Sequence, residues 1–402
     1  MSDLIDILKS TDPFGGSMTE SLPVISLFSG AGGLDLSVTR AATDPLDTNG
    51  PAKSPYRIGV STDYDPDTVK TYEANFPGVP SLVGDIRTIT TQEILEAGSL
   101  IVGEAALVVG GPPCTPFSKS GFWLAEKRES RDPNASLLDE YARVVREAQP
   151  EAFILENVQG LTYRTHKAQL ERLLTEMKSL GYNPQYQVLL AADYGVPQLR
   201  RRVFIVGRRD GKRFEFPTRK FAGDSEHTKR RDDEALPMHR TASEAFEGLL
   251  EVPEPGEAVS GSWQELAAEI PPGENYLWHT ERKGGRNEFK WRTRYWTFLL
   301  RLSPDKPSST IQAQPGPWVG PFHWENVIDP FNGQPAARRL RVPEIKRLQT
   351  FPDNFQVIGD RATAQRQIGN AVPVELGKVV VRALAEQLGH ISSIATSTDT
   401  RW

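Results

Sequence analysis

Short apolar runs recur through the first half of the chain, and most stop at or within a residue or two of a glycine, a proline or a charged residue. That rhythm constrains the fold more than any other feature. Pro23–Phe28, Arg57–Thr62, Leu82–Ile86, Leu107–Gly110, Phe153–Glu156, Gln185–Leu190 and Val203–Gly207 each read as a strand. The stretches between them read as helices. Leu34–Ala42 is one. A second runs from Pro66 to about Phe76, with Asp65 as its N-cap and proline at the first helical position. Gln92–Ala97 is a third, and Ser136 with Asp139 resembles a capping box that opens a fourth. Lys167–Leu180 is amphipathic and is ended by Gly181. Strands alternating with helices predict an α/β fold: a doubly wound, mostly parallel sheet covered on both faces.

The texture changes after Gly207. Residues 209 to about 300 are charged, aromatic-rich and broken by Pro and Gly, with no sustained period. We expect a second, smaller, irregular domain over 209–340, set against a first domain over 21–208. Val379–Ala385 is helical and apolar again, so 341–391 returns to the first domain. Residues 1–20 and 392–402 read as flexible ends.

In open α/β sheets the chemistry gathers at the carboxyl ends of the strands, and that is where the unusual residues fall. Phe28-Ser29-Gly30-Ala31-Gly32-Gly33 is a glycine turn between a strand and a helix, which lets a ligand approach the backbone. A dinucleotide fingerprint needs glycine three residues after Gly32; Asp35 stands there, which disfavours a nicotinamide cofactor. Asp63 ends the second strand, where a carboxylate can accept both hydroxyls of a ribose. Asp85 ends the third, within reach of an adenine amino group. One such Asp is more often a turn residue; three consecutive strand ends with ligand-type groups point to an adenosine-containing cofactor.

Cys114 is the only cysteine of the 402 residues. A lone Cys is usually a small buried core residue. Here Gly110-Gly111-Pro112-Pro113 ends the fourth strand just before it, so the thiol is presented on a rigid turn. A single Cys excludes a disulfide framework and a cysteine-based zinc site. Glu156 ends the fifth strand, where burial can keep a carboxyl protonated near neutral pH. In Gln198-Leu199-Arg200-Arg201-Arg202, strand alternation puts Gln198, Arg200 and Arg202 on one face. No run of about 18 apolar residues is present to span a membrane. The net charge of −5 argues weakly against a nucleic-acid partner. Basic residues nevertheless cluster in Arg200–Arg240, Arg282–Arg301 and Arg338–Arg341, which permits a local anion-binding face.

With these motifs assembled, the chain resembles a cytosine-C5 DNA methyltransferase of the bacterial restriction-modification type. The matching segments are Phe28–Gly33, Gly110–Cys114, Glu156-Asn157-Val158, Gln198–Arg202 and Gln367-Ile368-Gly369-Asn370-Ala371-Val372, in the family's order. The resemblance implies a Rossmann-like methyltransferase fold and S-adenosylmethionine as methyl donor. It implies that Phe28, Ser29, Gly30, Gly32, Gly33, Leu34, Asp63, Tyr64, Asp85, Ile86, Pro112, Asn370 and Val372 line the cofactor site. It implies Cys114 as nucleophile, Glu156 as the group on cytosine N3, Arg202 as a clamp on the base and sugar, and Arg200 beside them. Gln198 and Ser118 are expected to meet double-stranded DNA. So are Arg292 and Arg294, in an aromatic and basic stretch suited to reading base edges. Thr115 departs from the family, which more often has Gln there, so contacts from that loop to DNA differ.

Other readings account for less. A non-catalytic DNA-binding regulator does not need Cys114. A tRNA-cytosine methyltransferase usually carries an additional Cys-Phe-Thr, and no second Cys exists here. Amino-group methyltransferases need no thiol. The expectation is a cytoplasmic, monomeric DNA methyltransferase without a metal, whose target is shared by a cognate endonuclease.

Overall fold

The computed structural model describes residues 21–44, 47–113, 137–223 and 236–392. Its centre is a seven-stranded sheet of β1 (Leu22–Leu27), β2 (Tyr56–Asp63), β3 (Ser81–Val83), β4 (Leu107–Gly110), β5 (Ala152–Val158), β6 (Asn183–Leu190) and β8 (Arg201–Arg208). Their order across the sheet is β3-β2-β1-β4-β5-β8-β6. The first five strands are parallel. β8 runs antiparallel to both β5 and β6. The expected α/β sheet is present, with this antiparallel edge added.

Residue parity assigns the two faces. Ile25, Val108, Phe153, Leu155, Val203 and Ile205 belong to one buried cluster, covered by the helices Leu137–Ala148 and Lys167–Ser179. Val24, Leu107, Val109, Ile154, Phe204 and Val206 belong to the other, under α1 (Gly33–Thr39) and the helix Val374–Leu388. Successive strand residues point to opposite faces, so an unbroken apolar run is what two covered faces require. β2 switches parity at an irregularity: Val24 pairs with Ile58, but Ile25 pairs with Val60, so Ile58 and Val60 serve opposite faces. Gly59 is the extra residue.

α2 (Pro66–Asn75) starts as expected, with the Asp65 side chain accepting from Asp67 N and proline in the first turn. α3 (Thr91–Ala97) carries a full capping box between Thr90 and Glu93. Lys167–Ser179 ends before Gly181, which has φ 87°. The Ser136 half of the other expected capping box lies outside the described residues; Leu137–Ala148 follows it.

The irregular stretch has a core of its own. Tyr276, Phe289 and Phe298 pack edge-on around Leu266, Ile270 and Phe322. The short strands β7 (Gln198–Leu199) and β9 (Ser308–Ser309) pair in parallel, and Phe322 begins β10 (Phe322–Ile328), which pairs with β11 (Pro335–Arg339). A further cluster joins both halves of the chain: Ala31, Tyr72 and Phe76 meet Ala242, Leu302, Ile311, Leu348 and Ile368.

Several basic residues expected at a solvated or anion-binding face are internal instead. Arg301 is buried and donates to the carbonyls of His323, Ala267 and Trp324 and to Asn326 Oδ1. Arg338 forms a fork with Glu344 at 2.7 and 3.0 Å, and Arg341 Nε meets Glu257 at 2.7 Å. Glu344 also accepts from Arg341 N and so caps the helix Val342–Leu348. His323 accepts from Glu325 N through Nδ1. Burial first, and then the three arginines, press its pKa down to about 3, so it is neutral.

Removing one partner of a buried ion pair strands the other charge. Glu344→Ala is therefore expected to lower stability by about 3–5 kcal/mol in urea unfolding, and an apolar replacement of Arg338 and Glu344 together by much less.

Candidate active site

The parallel register brings the site together. Leu27 pairs with Thr62 and with Gly110, and Gly110 pairs with Leu155, which gives one row across four strands. The next residue of each strand is Phe28, Asp63, Gly111 or Glu156. Three inter-strand steps of about 4.8 Å put Asp63 and Glu156 roughly 14 Å apart along this edge.

On the left of the row is the glycine turn. Phe28, Gly30 and Gly32 all have positive φ (54°, 55° and 88°). Gly32 and Gly33 are needed for packing: a Cβ on Gly32 would lie 2.3 Å from the Phe76 ring, and one on Gly33 2.5 Å from the carbonyl oxygen of Val372. Gly30 differs, because its Cβ would meet nothing within 4 Å. The turn therefore presents open backbone there. Gly30 N donates to Asp63 Oδ2 at 2.7 Å, and Asp65 N to Oδ1 at 3.0 Å. Each carboxylate oxygen keeps a further lone pair for a hydroxyl. Burial pushes the Asp63 carboxyl up. Ser29 Oγ bonds into the sheet end, 2.9 Å from Ser26 Oγ.

Around this turn the expected residues divide. Leu34 and Val372 are buried together against β1. Tyr64 (75% exposed) and Asn370 face solvent. Ile86 is buried and its carbonyl accepts from Arg143 Nη2. Asp85 follows β3 at a distance of two residues, and Arg87 forks onto both its oxygens at 2.5–3.0 Å. That pair holds the Asp85 carboxyl below its usual range.

On the right of the row is Glu156. Val158 is registered with Arg202, so Glu156 and Arg202 are diagonal neighbours on one face. Arg202 Nε lies 2.8 Å from Glu156 Oε1. Burial raises the Glu156 pKa; Arg202, then Arg200, pull it back without cancelling the rise. The carboxyl lies beside Gly111, where a Cβ would be 3.1 Å from Oε2. Asn157 Nδ2 donates to the Pro112 carbonyl at 3.1 Å. Glu156 and the start of the Pro-Pro loop are thus fixed by adjacent residues of β5. Cys114 and Ser118 lie outside the described residues.

Two expectations need correction. Gln198 was assigned to DNA, but its side chain is wholly buried. It donates to Leu348 O and Gln349 Oε1 and accepts from Ile311 N. Arg200 was grouped with the catalytic residues, but it is buried too, donating to the carbonyls of Ile311, Gly369 and Ala371. Of the three residues on one expected face, only Arg202 reaches Glu156. In the aromatic stretch, His279 is buried and bonds Leu266 O, whereas Arg292 and Arg294 are exposed. Arg292 lies 6.0 Å from the Trp291 ring and Arg294 5.4 Å from that of Phe298.

Four residues hold places that the sequence did not signal. Asn157 ties down Pro112. Tyr72 OH and Ser26 Oγ both donate to Asp35, buried beneath the glycine turn. Arg87 occupies Asp85. For Asp35 a signal was present, an acid between Leu34 and Leu36 in a short apolar helix. Among the described residues no cluster of His, Cys, Asp and Glu could hold a metal ion, and no helix is long and apolar enough to cross a membrane.

A sheet of this order, with its glycine turn and buried Glu–Arg pair on one edge, defines an α/β methyltransferase. Its fold matches a putative DNA modification methyltransferase encoded within an E. coli prophage (TM-score 0.64, 21% identity, 92% of this chain and 100% of that one). It also matches an Entamoeba histolytica methyltransferase, EhMeth (TM-score 0.61, 17% identity, 92% and 99%). Residues 22–386 match the C-5 cytosine-specific DNA methylases, and the chain belongs to that family. It is 63% identical over 380 residues to the Type II methyltransferase M.SacI of Streptomyces achromogenes, covering 94% of this chain and 97% of that one. To M1.HphI of Haemophilus parahaemolyticus it is 32% identical, covering 90% and 87%. The protein is a DNA cytosine-5 methyltransferase.

Arg202 is the larger of the two charges that lower the Glu156 pKa. In Arg202→Ala the carboxyl is expected to ionise at higher pH than in the wild type, read from the ¹³C shift of labelled Glu carboxyls. A raised carboxyl leaves the native chain holding a proton that the unfolded chain has lost. Its contribution to stability therefore declines as pH rises above the ordinary Glu value towards the raised one, and Arg202→Ala extends that decline upward.

Proposed function

We propose that the chain methylates carbon 5 of a cytosine flipped out of a specific double-stranded DNA sequence, through a covalent bond between Cys114 and carbon 6. The observation that carries this reading is the Glu156–Arg202 pair against Gly111. Cys114 follows Gly111 by three residues, a covalent reach of at most about 11 Å. A nucleophile, a buried acid and a guanidinium can therefore meet around one ring.

Carbon 5 of cytosine is a poor nucleophile. The Cys114 thiolate adds to carbon 6 and supplies the missing electron density. Charge then moves to N3, where Glu156 donates a proton; burial keeps that proton available near neutral pH. Arg202 orients the carboxyl and clamps the base. Once carbon 5 has taken the methyl group, loss of its proton to a base re-forms the 5,6 double bond and expels Cys114 as the thiolate. A stacked base cannot be attacked in this way, so it must leave the helix.

S-adenosylmethionine fits the left of the row. Phe28, Ser29, Gly30, Asp63, Tyr64, Pro112 and Asn370 would hold it, with Gly32, Gly33, Leu34, Ile86 and Val372 shaping the turn behind them. The open side of Gly30 and the spare lone pairs of Asp63 suit a nucleoside. Asp85 can take an adenine amino group only by sharing its oxygens with Arg87. The bound cofactor supplies an electrophilic methyl group on a sulfonium. Arg292 and Arg294 are offered to the DNA, and Ser118 is assigned there with them. We read the 209–340 segment as the target-recognition domain. The Type II names of its relatives support a role in restriction-modification: a cytoplasmic monomer that protects DNA from an endonuclease sharing its target.

Cys114→Ser is expected to abolish methyl transfer while cofactor binding survives, because an alcohol is far less nucleophilic than a thiolate and no other Cys exists. On DNA with 5-fluorocytosine at the target, the wild type should form a denaturation-resistant adduct through Cys114. Methylation of ordinary DNA without any such adduct would refute the covalent route.

Glu156→Gln keeps the size and one hydrogen-bond acceptor but removes the acid. Single-turnover rates should fall roughly 10²–10⁴-fold. A loss confined to cofactor affinity would move Glu156 to the cofactor site.

A further inference from the structure

Asp35 is wholly buried, in the first turn of α1 directly behind the glycine turn. Its oxygens accept from Ser26 Oγ at 3.0 Å and from Tyr72 OH at 2.8 Å. Ser26 Oγ lies 2.9 Å from Ser29 Oγ, so the carboxyl is two hydrogen bonds from the turn itself. Two hydroxyls satisfy the group but do not neutralise it, and no salt bridge to it occurs among the described residues. The charged group facing it is Asp63, another acid. On the helix packed over α1, Glu375 and Lys378 pair with each other at 2.7 Å. A buried acid with no cation opposite costs stability. Its place behind an open backbone turn gives it a use.

We propose that Asp35 is a positioning charge that makes the turn prefer a cationic ligand to its neutral counterpart. The inference rests on S-adenosylmethionine being the methyl donor. Methyl transfer converts a sulfonium into a neutral thioether, so donor and product differ by one positive charge close to the turn. An ionised Asp35 attracts the donor and not the product, and thereby speeds exchange of spent for fresh cofactor. Asp35 is buried, so salt screens its field less than that of a surface charge. By reciprocity, the sulfonium holds Asp35 ionised and the thioether lets it take up a proton.

Burial raises the Asp35 pKa to about 6, and the hydrogen bonds from Ser26 and Tyr72 keep it from rising further. The preference is therefore expected to titrate in an accessible range. As pH rises through about 6 the carboxyl loses its proton and the donor gains relative to the product.

The test is calorimetric titration of the full-length protein with S-adenosylmethionine and with S-adenosylhomocysteine between pH 5 and 8. In the wild type the ratio of product Kd to donor Kd should increase roughly three- to tenfold, the size of effect expected of one unit-charge pair in a medium between protein and water. Asp35→Asn keeps the size and one acceptor oxygen, with the hydroxyl facing the new amide nitrogen turned to accept, but loses the charge, and its ratio should lose that rise. Any slope left in Asp35→Asn belongs to Asp63 or to the ligands, and the difference between the proteins isolates Asp35. Tyr72→Phe removes one stabilising hydrogen bond and should move the midpoint to higher pH, which a purely structural role would not do. A flat wild-type ratio, or the same slope in Asp35→Asn, overturns the proposal. Failure of both ligands to bind the wild type would instead overturn the donor assignment, and this inference with it.

Discussion

The buried guanidinium of Arg200 holds the two ends of the enzyme together. A cation removed from water needs acceptors on every side. The Nη1 and Nη2 atoms of Arg200 find them in the carbonyls of Ile311, Gly369 and Ala371, more than a hundred residues away in the chain. Gln198, two residues earlier, bonds the backbone at Leu348 and Ile311. These contacts dock the returning segment against the sheet edge. Once it is docked, the Val372 carbonyl lies over Gly33 and leaves room only for glycine. Ser37 Oγ, from α1, bonds the Val374 carbonyl. The glycine turn is thus closed by residues about 340 positions downstream in the sequence, nearly the whole length of the family match.

The strands and the row of strand-end residues were legible because each depends on one local rule. Apolar runs gave β1, β4, β5 and β8 within a residue or two. A glycine turn after an apolar run gave the left of the row, and an acid after one gave Glu156. The direction of β8 was not legible, since an apolar run carries no direction; the connections through β6 set it. The burial of Gln198 and Arg200 was not legible for a related reason. Alternation says which residues share a face but not what covers that face. The same gap made Arg301, Arg338 and Arg341 look like a surface for anions, when buried carbonyls and the acids Glu257 and Glu344 already hold them. The aromatic residues of the irregular stretch were read for recognition, and many of them fill its core.

Three carboxyls stand on or just behind the active edge, and burial raises the pKa of all three: Asp35, Asp63 and Glu156. They differ in what opposes the rise. Asp35 has two hydroxyls, Asp63 two backbone N–H groups, and Glu156 the guanidiniums of Arg202 and Arg200. A hydroxyl or amide only stabilises the anion, whereas a guanidinium also fixes the carboxyl's direction through a short charged contact. The group proposed to hand a proton to the base is the one aimed by an arginine. The two proposed to face the cofactor are held by neutral donors and keep their negative field.

Arg200 and Arg202 are the same residue type two positions apart in one motif, yet one is a structural tie and the other belongs to the site. Parity alone would give them equal roles. The difference is the register of β8. Arg202 is paired with Val158, at the open end of β5, and so can lean onto Glu156. Arg200 has passed beyond the strand end and is covered by the segments it binds. Arg202 therefore leans on an acid inside the sheet, while Arg200 contributes through the charge it adds near Glu156 and through the wall it holds in place. An arginine at position 200 is thus required by what surrounds it, and one at position 202 by what it reaches.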